Sequence, residues 1–369
     1  MTSFPSPQRP LRVAVVGLGF GEKVHVPALR DCPLTEPVGL WHHRPERLEQ
    51  AAASLGLPSF ASYEALLDDP RVEALVIATP PEPRFALAEA AIAAGKHLML
   101  EKPVALAATQ IEQLQRQALS AGVTVAVDFE YRAVPAFMQL RALLEQNRIG
   151  TPWLVKLDWL MGSRADASRP WNWYSQRGAG GGVLGSLGTH AFDTLHWLLG
   201  PARQVSCMRS MAIPHRPLTD GSGRLGAVDA EDIALLQLEL ETAEGKRLPA
   251  QVSLASVTRP GRGYWIEVYG SEGTLVLGSS NQNDYVHGFQ LWQASHSGPL
   301  QEIPPDPELA FPQTWPDGRV APVRRLIDWW SQATREGRPM KPGLTEAVHS
   351  QLICDRALQA ADSGLRQSI

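Results

Sequence analysis

Residues 11–30 decide the fold of the first half of this chain, and they read LRVAVVGLGFGEKVHVPALR. The apolar run before the first glycine predicts a buried strand, and the segment after the last glycine predicts a helix. Gly17 permits a tight turn, and Gly19 lets the backbone approach a pyrophosphate. The N-terminus of the helix offers free N–H groups to the negative charge of the pyrophosphate. The pattern therefore predicts a dinucleotide-binding turn. It departs from GxGxxG, because Gly21 comes one residue early and Glu22 stands where the third glycine belongs.

Four more apolar runs follow, separated from one another by Ala- and Leu-rich segments of helical period. They read PVGLW (37–41), ALVIATP (74–80), HLMLEKP (97–103) and VTVAVDF (123–129). Short apolar strands that alternate with helices are typical of a parallel sheet with crossover connections. We predict an α/β protein whose N-terminal Rossmann dinucleotide-binding domain spans residues 11–128, after a disordered tail at 1–10.

The second half of the chain has a different pattern. Its strand-like runs include PWLVKLDWLM (152–161), DIALLQLELE (232–241) and YWIEVYGSEGTLVLG (264–278), several of them joined by Gly or Asp turns. Such runs favour an antiparallel sheet. Ten of the eleven tryptophans also lie beyond residue 150. We predict that residues 129–369 form a C-terminal α/β domain with a large, mainly antiparallel open sheet, which shapes the substrate pocket.

Composition excludes several classes of protein. The 34 Lys and Arg residues nearly balance 38 Asp and Glu residues, and no block of like charge occurs, so nucleic acid and anionic membranes are poor candidates for partners. The chain has 3 distant cysteines and no run of eighteen apolar residues. We expect a cytoplasmic protein. Because HExxH, EF-hand and Cys/His patterns are missing from the sequence, we also expect no metal site.

The end of the second predicted strand bears on the choice of dinucleotide. In NAD-binding domains an Asp or Glu there holds the ribose hydroxyls, but here the chain reads Trp41-His42-His43-Arg44. His43 and Arg44 can meet a 2′-phosphate with charge and hydrogen bonds. The sequence therefore favours NADP over NAD. Leu18 and Phe20, between the glycines, complete the predicted contacts of this turn.

Three segments in this order resemble one family of enzymes. They are GLGFGEKVHVPAL (17–29), ATPPEPRFALAEAAIAAGKHLMLEKPVA (78–105) and GGGVLGSLGTHAFDTLHWLLG (180–200), and they are similar to the glucose-fructose oxidoreductase, inositol dehydrogenase and rhizopine-catabolism (Gfo/Idh/MocA) family. The resemblance implies a nicotinamide-dependent oxidoreductase of sugars, polyols or their derivatives. It also implies a homodimer or homotetramer assembled through the C-terminal sheet.

The resemblance implies roles for individual residues. Lys102, in the EKP signature, and His190, in GTHAFD, become the catalytic acid and base. Thr79, Pro80, Glu101 and Lys102 become cofactor contacts. A helix over residues 183–199 would place Ser186, His190 and Asp193 on one face. Substrate contact is predicted for a set of polar and aromatic residues at the domain junction, namely Tyr131, Trp171, Arg177, Ser186 and Asp193. The Trp- and Arg-rich segment over residues 163–182 also contains Arg164, Trp173 and Tyr174. Two interpretations of it remain: its aromatic and Arg side chains line the cleft and contact a sugar or an anion, or it packs as a long loop onto the sheet.

Three departures from the family pattern leave other functions open. Ser186 replaces an Asp that many relatives carry one turn before the histidine, Pro81 and Arg84 replace the Asn and His of TPNxxH, and Glu130 replaces an Asn. A hydroxyl at position 186 cannot supply the negative charge of a carboxylate. Two alternatives remain beside the dehydrogenase: a cofactor-binding sensor or co-regulator with reduced catalysis, and an NAD-dependent glycosidase of the same family.

Overall fold

The computed structural model describes residues 9–281, 283–284 and 288–369. These residues form one sheet of five strands, one of nine strands and a short two-stranded hairpin. Most of the predicted tail, residues 1–8, lies outside the described part of the chain. None of the helices in that part combines the length and the hydrophobicity of a membrane-spanning segment.

The five-stranded sheet is parallel throughout, with strand order β2-β1-β3-β4-β5. Its strands are β1 (Leu11–Val16), β2 (Thr35–Trp41), β3 (Ala74–Ile77), β4 (His97–Leu100) and β5 (Val125–Val127). The inner strands are almost wholly apolar because helices cover both faces of the sheet. Their parallel direction brings all five carboxyl ends to one edge, where ligands of such sheets bind.

Crossover helices connect these strands. A π-helical turn at Gly21–His25 precedes α1 (Val26–Asp31), and α2 (Pro45–Leu55), α3 (Tyr63–Asp68), α4 (Pro81–Ala93) and α5 (Ala108–Ala121) follow. The sequence prediction of an N-terminal Rossmann fold is confirmed.

The nine-stranded sheet has the order β15-β14-β13-β12-β6-β11-β10-β7-β16. Its strands are β6 (Pro152–Leu160), β7 (Ala202–Ser210), β10 (Ile233–Glu241), β11 (Arg247–Ala255), β12 (Gly263–Gly270), β13 (Gly273–Ser279), β14 (Gln290–Ser295), β15 (Gln301–Ile303) and β16 (Gln367–Ser368). The hairpin consists of β8 (His215–Pro217) and β9 (Leu225–Ala227). Because only β6 and β11 pair in parallel within the described sheet, the prediction of a mainly antiparallel sheet is confirmed.

Four α-helices of the described residues lie beyond residue 128. They are α6 (Pro135–Glu145), α7 (Thr189–Leu199), α8 (Val320–Glu336) and α9 (Leu344–Ser363). Helix α8 packs against the nucleotide-binding domain, where Val323, Leu326 and Trp330 join the same buried cluster as Val15. Part of the first domain's core is therefore supplied from beyond residue 300.

The helix predicted over residues 183–199 is not uniform. A π-helical turn at Leu184–Gly188 runs directly into α7. A π turn has more residues per turn than an α-helix, so Ser186 does not share the phase of the α-helical residues that follow. The turn ends two residues before His190, and π turns are frequent at functional sites.

Candidate active site

A cleft of about 600 Å³ lies at the carboxyl edge of the parallel sheet, between the two domains. Leu18, Thr79 and Lys102 line it from the first domain, and Tyr174 and His190 line it from the second. The predicted cofactor residues Phe20, Pro80 and Glu101 also line this cleft. Residues of both predicted domains therefore line the cleft.

The glycine turn has the shape that a pyrophosphate requires. Gly17 has φ +92°, and a Cβ there would lie 2.8 Å from the backbone of Ala78 and Thr79. Gly19 has φ +113°, and a Cβ there would meet no atom within 4 Å, so the space beside it is open. A Cβ on Gly21 would lie 3.0 Å from Val15, which makes Gly21 a packing residue. The turn fits a dinucleotide.

The adenosine end of the predicted cofactor site is exposed. Arg44 is the N-cap of α2, and no hydrogen bond or ion pair engages its guanidinium among the described residues. The rings of His42 and His43 stack with centroids 4.4 Å apart. The acidic residue nearest in sequence, Glu46, lies in the first turn of α2. The end of β2 therefore presents basic groups, as the sequence predicts.

Lys102 is held at the centre of the cleft by the loops that follow β3 and β4. The buried guanidinium of Arg84 donates to the carbonyl groups of Thr79, Glu101 and Pro103. This cross-link ties the two loops together. The Nζ atom of Lys102 donates to the Ser186 carbonyl oxygen at 3.1 Å. Since an ammonium has three N–H donors, the remaining two can serve another acceptor.

His190 lies at the base of the cleft with 4% of its surface exposed. Its ring meets Tyr131 edge-on at a centroid distance of 5.1 Å. Burial, and then the positive charge of Lys102, lower the pKa of His190 well below its usual value, so the imidazole is neutral at pH 7. Its Nδ1 atom has no hydrogen-bond partner among the described residues.

Glu130 faces the other ring nitrogen of His190. It belongs to a 3₁₀ turn at Glu130–Ala133, and its Oε2 atom lies 3.5 Å from His190 Nε2. Burial raises the pKa of Glu130 to about 7, although the charge of Lys102 acts in the opposite direction. The cleft therefore contains a carboxyl group that titrates near neutral pH and lies beside the catalytic candidates.

A second buried polar cluster lies behind Lys102. His25 Nε2 lies 2.9 Å from Glu101 Oε1 and 3.5 Å from Asp128 Oδ2. Burial and the charges of Glu101 and Glu130 raise the pKa of Asp128, which keeps one proton in the cluster. The ligand atoms of these three residues lie within 4.8 Å of one another, a spacing that could also hold a metal ion. The prediction of no metal stays a prediction.

The predicted substrate residues divide into two groups. Tyr131 and Ser186 line the cleft, although the Ser186 hydroxyl donates to the Gly182 carbonyl oxygen at 2.7 Å. Trp171, Arg177 and Asp193 lie outside the cleft lining.

Each of these three side chains has another partner. The Trp171 indole donates to the Ala227 carbonyl oxygen at 2.8 Å, and Arg177 pairs with Asp362 at 2.5 Å. Asp193 is buried and accepts two hydrogen bonds from Arg132, at 2.6 and 2.8 Å. The geometry does not support direct substrate contact by these three residues. Sequence spacing could not reveal this, because each partner comes from a distant segment.

Two family models match the chain. Residues 11–129 match the NAD-binding Rossmann fold of an oxidoreductase family, and residues 141–366 match the C-terminal alpha/beta domain of that family. The chain belongs to the Gfo/Idh/MocA oxidoreductase family. The resemblance noted in the sequence is thereby confirmed, and the protein is an oxidoreductase with the NAD-binding Rossmann fold of that family.

Relatives of this Gfo/Idh/MocA protein align along almost its whole length. An uncharacterised oxidoreductase of Synechocystis sp. is 43% identical, over 98% of this chain and 95% of its own. Levoglucosan dehydrogenase of Pseudarthrobacter phenanthrenivorans is 29% identical, over 95% of this chain and 96% of its own. A solved levoglucosan dehydrogenase in complex with NADH and L-sorbose has a TM-score of 0.84 at 24% identity, covering 98% of this chain and 99% of that one.

The sequence pointed to the segment of this Gfo/Idh/MocA chain that supplies several further cleft residues, but it did not single out Arg169 or Arg319. Arg164, Arg169, Trp173 and Tyr174 line the cleft from the segment between β6 and α7, and Arg319 enters from the N-cap of α8. The Trp- and Arg-rich composition of residues 163–177 pointed to that segment. It could not distinguish the side chains that face the cleft from those, such as Trp171, that pack elsewhere. Nothing in the local sequence indicates that Arg319 reaches the first domain.

Proposed function

We propose that this protein is a dehydrogenase or reductase that transfers a hydride between a nicotinamide dinucleotide and a CH–OH carbon of a sugar, a polyol or a derivative of one. The observation that carries the proposal is the meeting of Lys102, Glu130 and His190 in one cleft at the carboxyl edge of the Rossmann sheet. The named activities of relatives, which include levoglucosan dehydrogenase and inositol 2-dehydrogenase, support the substrate class.

The chain's own residues handle the proton. A bound nicotinamide supplies hydride acceptance or donation, and the residues that fit it are Gly17, Gly19 and the loop of Thr79, whose buried Oγ1 has no described partner. In the oxidative direction the hydroxyl proton of the substrate passes to neutral His190 as the C–H bond breaks. The Lys102 ammonium stabilises the developing negative charge on the substrate oxygen. In reduction the proton returns by the same route.

Glu130 compensates for the serine at position 186. A carboxylate beside the imidazole stabilises the imidazolium that forms when His190 accepts a proton. Ser186 cannot do this, but Glu130 Oε2, in the 3₁₀ turn after β5, lies 3.5 Å from His190 Nε2. This arrangement favours an active enzyme over a sensor that has lost catalysis, because Glu130 supplies the negative charge that Ser186 lacks.

We further propose that NADP is the preferred cofactor and that NAD is the alternative. The support is the end of β2, where exposed His43 and Arg44 replace the acidic residue that would hold the ribose hydroxyls of NAD. A guanidinium binds a phosphate through charge-assisted hydrogen bonds.

Turnover assays test the proposed function directly. Sugars, polyols and sugar acids would be screened with both nicotinamide cofactors by absorbance. Lys102→Met and His190→Asn should each lower kcat by about 10²- to 10⁴-fold, since positioned acid–base groups contribute on that scale, while cofactor affinity changes little. Lys246→Met, at an exposed turn, is the control and should retain full activity.

Each other result has a defined meaning. Unchanged kcat in either cleft variant would remove that residue from the mechanism. Cofactor binding without turnover of any compound would favour the sensor. Net hydrolysis of a glycoside without accumulation of reduced or oxidised cofactor would identify the glycosidase.

A further inference from the structure

The end of the cleft formed by the C-terminal domain carries an excess of positive charge. Arg164 and Arg169 line it, both in the segment that follows β6. Arg216 lies behind them with 1% of its surface exposed, and it donates to the carbonyl oxygens of Arg164 and Asp166 at 2.7 and 2.8 Å. Three guanidinium groups therefore occupy one short stretch of wall.

These guanidinium groups lack acidic partners. Among the described residues, no carboxylate forms an ion pair with Arg164, Arg169 or Arg216 within 4.0 Å. Partial burial, followed by the charge of Arg216, lowers the pKa of Arg164, which reflects the cost of holding this charge without a counterion. The carboxyl groups of the cleft, Glu101 and Glu130, lie beside His25 and His190 instead.

An aromatic surface lies next to the guanidinium of Arg164. The rings of Trp173 and Tyr174 stack with centroids 3.8 Å apart, and both residues line the cleft. The Arg164 guanidinium lies 4.6 Å from the centroid of the Tyr174 ring. Stacking fixes the plane of the guanidinium, so less side-chain entropy is lost when it binds a ligand. Aromatic rings also suit the apolar C–H face of a sugar ring.

The dinucleotide does not account for this charge. Its pyrophosphate belongs at the glycine turn of the first domain, whereas Arg164 is anchored in the second, where its N–H donates to the Ser256 carbonyl oxygen at 2.8 Å. The charge at Arg164 therefore faces the part of the cleft left for the substrate.

We propose that the substrate carries an anionic group, a carboxylate or a phosphate monoester, which binds Arg164 while Arg169 supplies further positive charge. This inference rests on the proposed function and specifies its substrate class. The planar fork of a guanidinium matches either anion with two parallel hydrogen bonds. The anion would lie at one end of the sugar, and the reacting CH–OH group would lie at the other, beside Lys102 and His190.

A matched set of compounds tests the proposal. Glucose, gluconate, glucuronate and glucose 6-phosphate would be compared by kcat/KM with each cofactor, at low and high salt. We expect kcat/KM for at least one anionic compound to exceed that for glucose by tenfold or more, and the excess to shrink at high salt. Comparison of gluconate and glucuronate with glucose 6-phosphate shows whether the site prefers a carboxylate or a phosphate.

Variants at position 164 locate the effect. Arg164→Met should lower kcat/KM for the preferred anion at least tenfold more than it lowers kcat/KM for glucose. Arg164→Lys should recover part of the loss because it keeps the charge but not the fork. Arg116→Met, at an exposed site on α5, should resemble the wild type. A wild type that prefers glucose, or an equal loss for both compounds in Arg164→Met, would overturn the proposal.

Calorimetric titration separates this proposal from the proposed function. Gluconate, glucuronate and glucose 6-phosphate would be titrated into the protein saturated with NADPH. If an anion binds, if Arg164→Met weakens that binding, and if no compound is turned over, the anion site is supported and the dehydrogenase proposal is contradicted. Turnover of neutral polyols alone would support the dehydrogenase proposal and contradict the anion site. Failure of all three anions to bind would also contradict the anion site.

Discussion

Glu130 Oε2 lies 3.5 Å from Nε2 of His190, and both side chains are buried at the base of the cleft. The two residues reach this position from different elements, a 3₁₀ turn after β5 and the first turn of α7. Because burial raises the pKa of Glu130 to about 7, a small change in pH changes the charge beside the imidazole. The pair can therefore be tested through its pH dependence.

Glu130→Gln should alter the pH–rate profile. In the wild type, oxidation should accelerate as pH rises through about 7, the pKa of Glu130, because ionised Glu130 stabilises protonated His190. The variant should lack this rise of the rate near pH 7, and its kcat should be about tenfold or more below that of the wild type, since a neutral amide cannot supply the charge. Profiles of kcat against pH measure this. Glu145→Gln, exposed at the end of α6, is the control; a rise that persists in Glu130→Gln would be due to another group.

Arg44→Ala should narrow the preference between cofactors. We expect the wild type to bind NADPH more tightly than NADH, and the variant to lose about tenfold in NADPH affinity because a charge-assisted hydrogen bond is lost. NADH affinity should hardly change. Fluorescence titration with both cofactors measures the ratio, with Arg116→Ala as the control. Equal affinities in the wild type would rule out the phosphate site at Arg44.

Asp193→Asn should destabilise the protein without altering substrate binding. The substitution breaks the buried pair with Arg132, and loss of one partner of such a pair costs about 3 kcal/mol or more in the free energy of unfolding. Urea unfolding measures this cost. Asp362→Asn, whose partners lie at the surface, should cost about 1 kcal/mol or less. A stable Asp193→Asn protein with a raised KM would instead place Asp193 in the substrate site.

His349 should make the protein less stable in mild acid. Burial, and then the charges of His196 and Arg203, lower the pKa of His349 from 6.5 to about 3, and its Nε2 atom accepts a hydrogen bond from the Ala202 N–H. Below pH 6.5 the unfolded state takes up a proton that the folded state refuses, so the free energy of unfolding falls as pH drops toward 3.

Comparison with His349→Gln isolates this effect. Between pH 7.5 and pH 5 the wild type should lose about 2 kcal/mol more than the variant, at roughly 1.4 kcal/mol per pKa unit. Urea unfolding at the two values of pH measures the difference. His215→Gln, at an exposed strand end, should behave like the wild type. Equal losses in wild type and His349→Gln would show that this imidazole is not responsible.

Leu235→Glu should weaken self-association. We propose a homodimer or homotetramer formed through the outer face of the nine-stranded sheet, where Met208 is 65% exposed and Leu235 is 42% exposed on adjacent strands. A charge there would be desolvated in the interface. Sedimentation velocity should show the smaller species in the variant. Leu119→Glu, 84% exposed on α5, should assemble normally, and a monomeric wild type would contradict the proposal.

The local pattern of the sequence was sufficient for most of the fold. The runs before Gly17 and Lys102 form strands because their apolar side chains must be buried on both faces of a parallel sheet. The contribution of α8 to the first domain was not predicted, because Trp330 and Val15 meet only after the chain has returned across the molecule.

The site shows the same division. The sequence by itself determined the glycine turn, the position of Lys102 after β4 and the place of His190 in a motif, because each depends on neighbours within one turn or strand. Only the tertiary structure decided that Asp193 pairs with Arg132, that Glu130 faces His190 and that Arg164 lies over the Tyr174 ring. Those relationships depend on which side chains of distant segments meet, and the packing of those segments sets each contact together with its burial and charge.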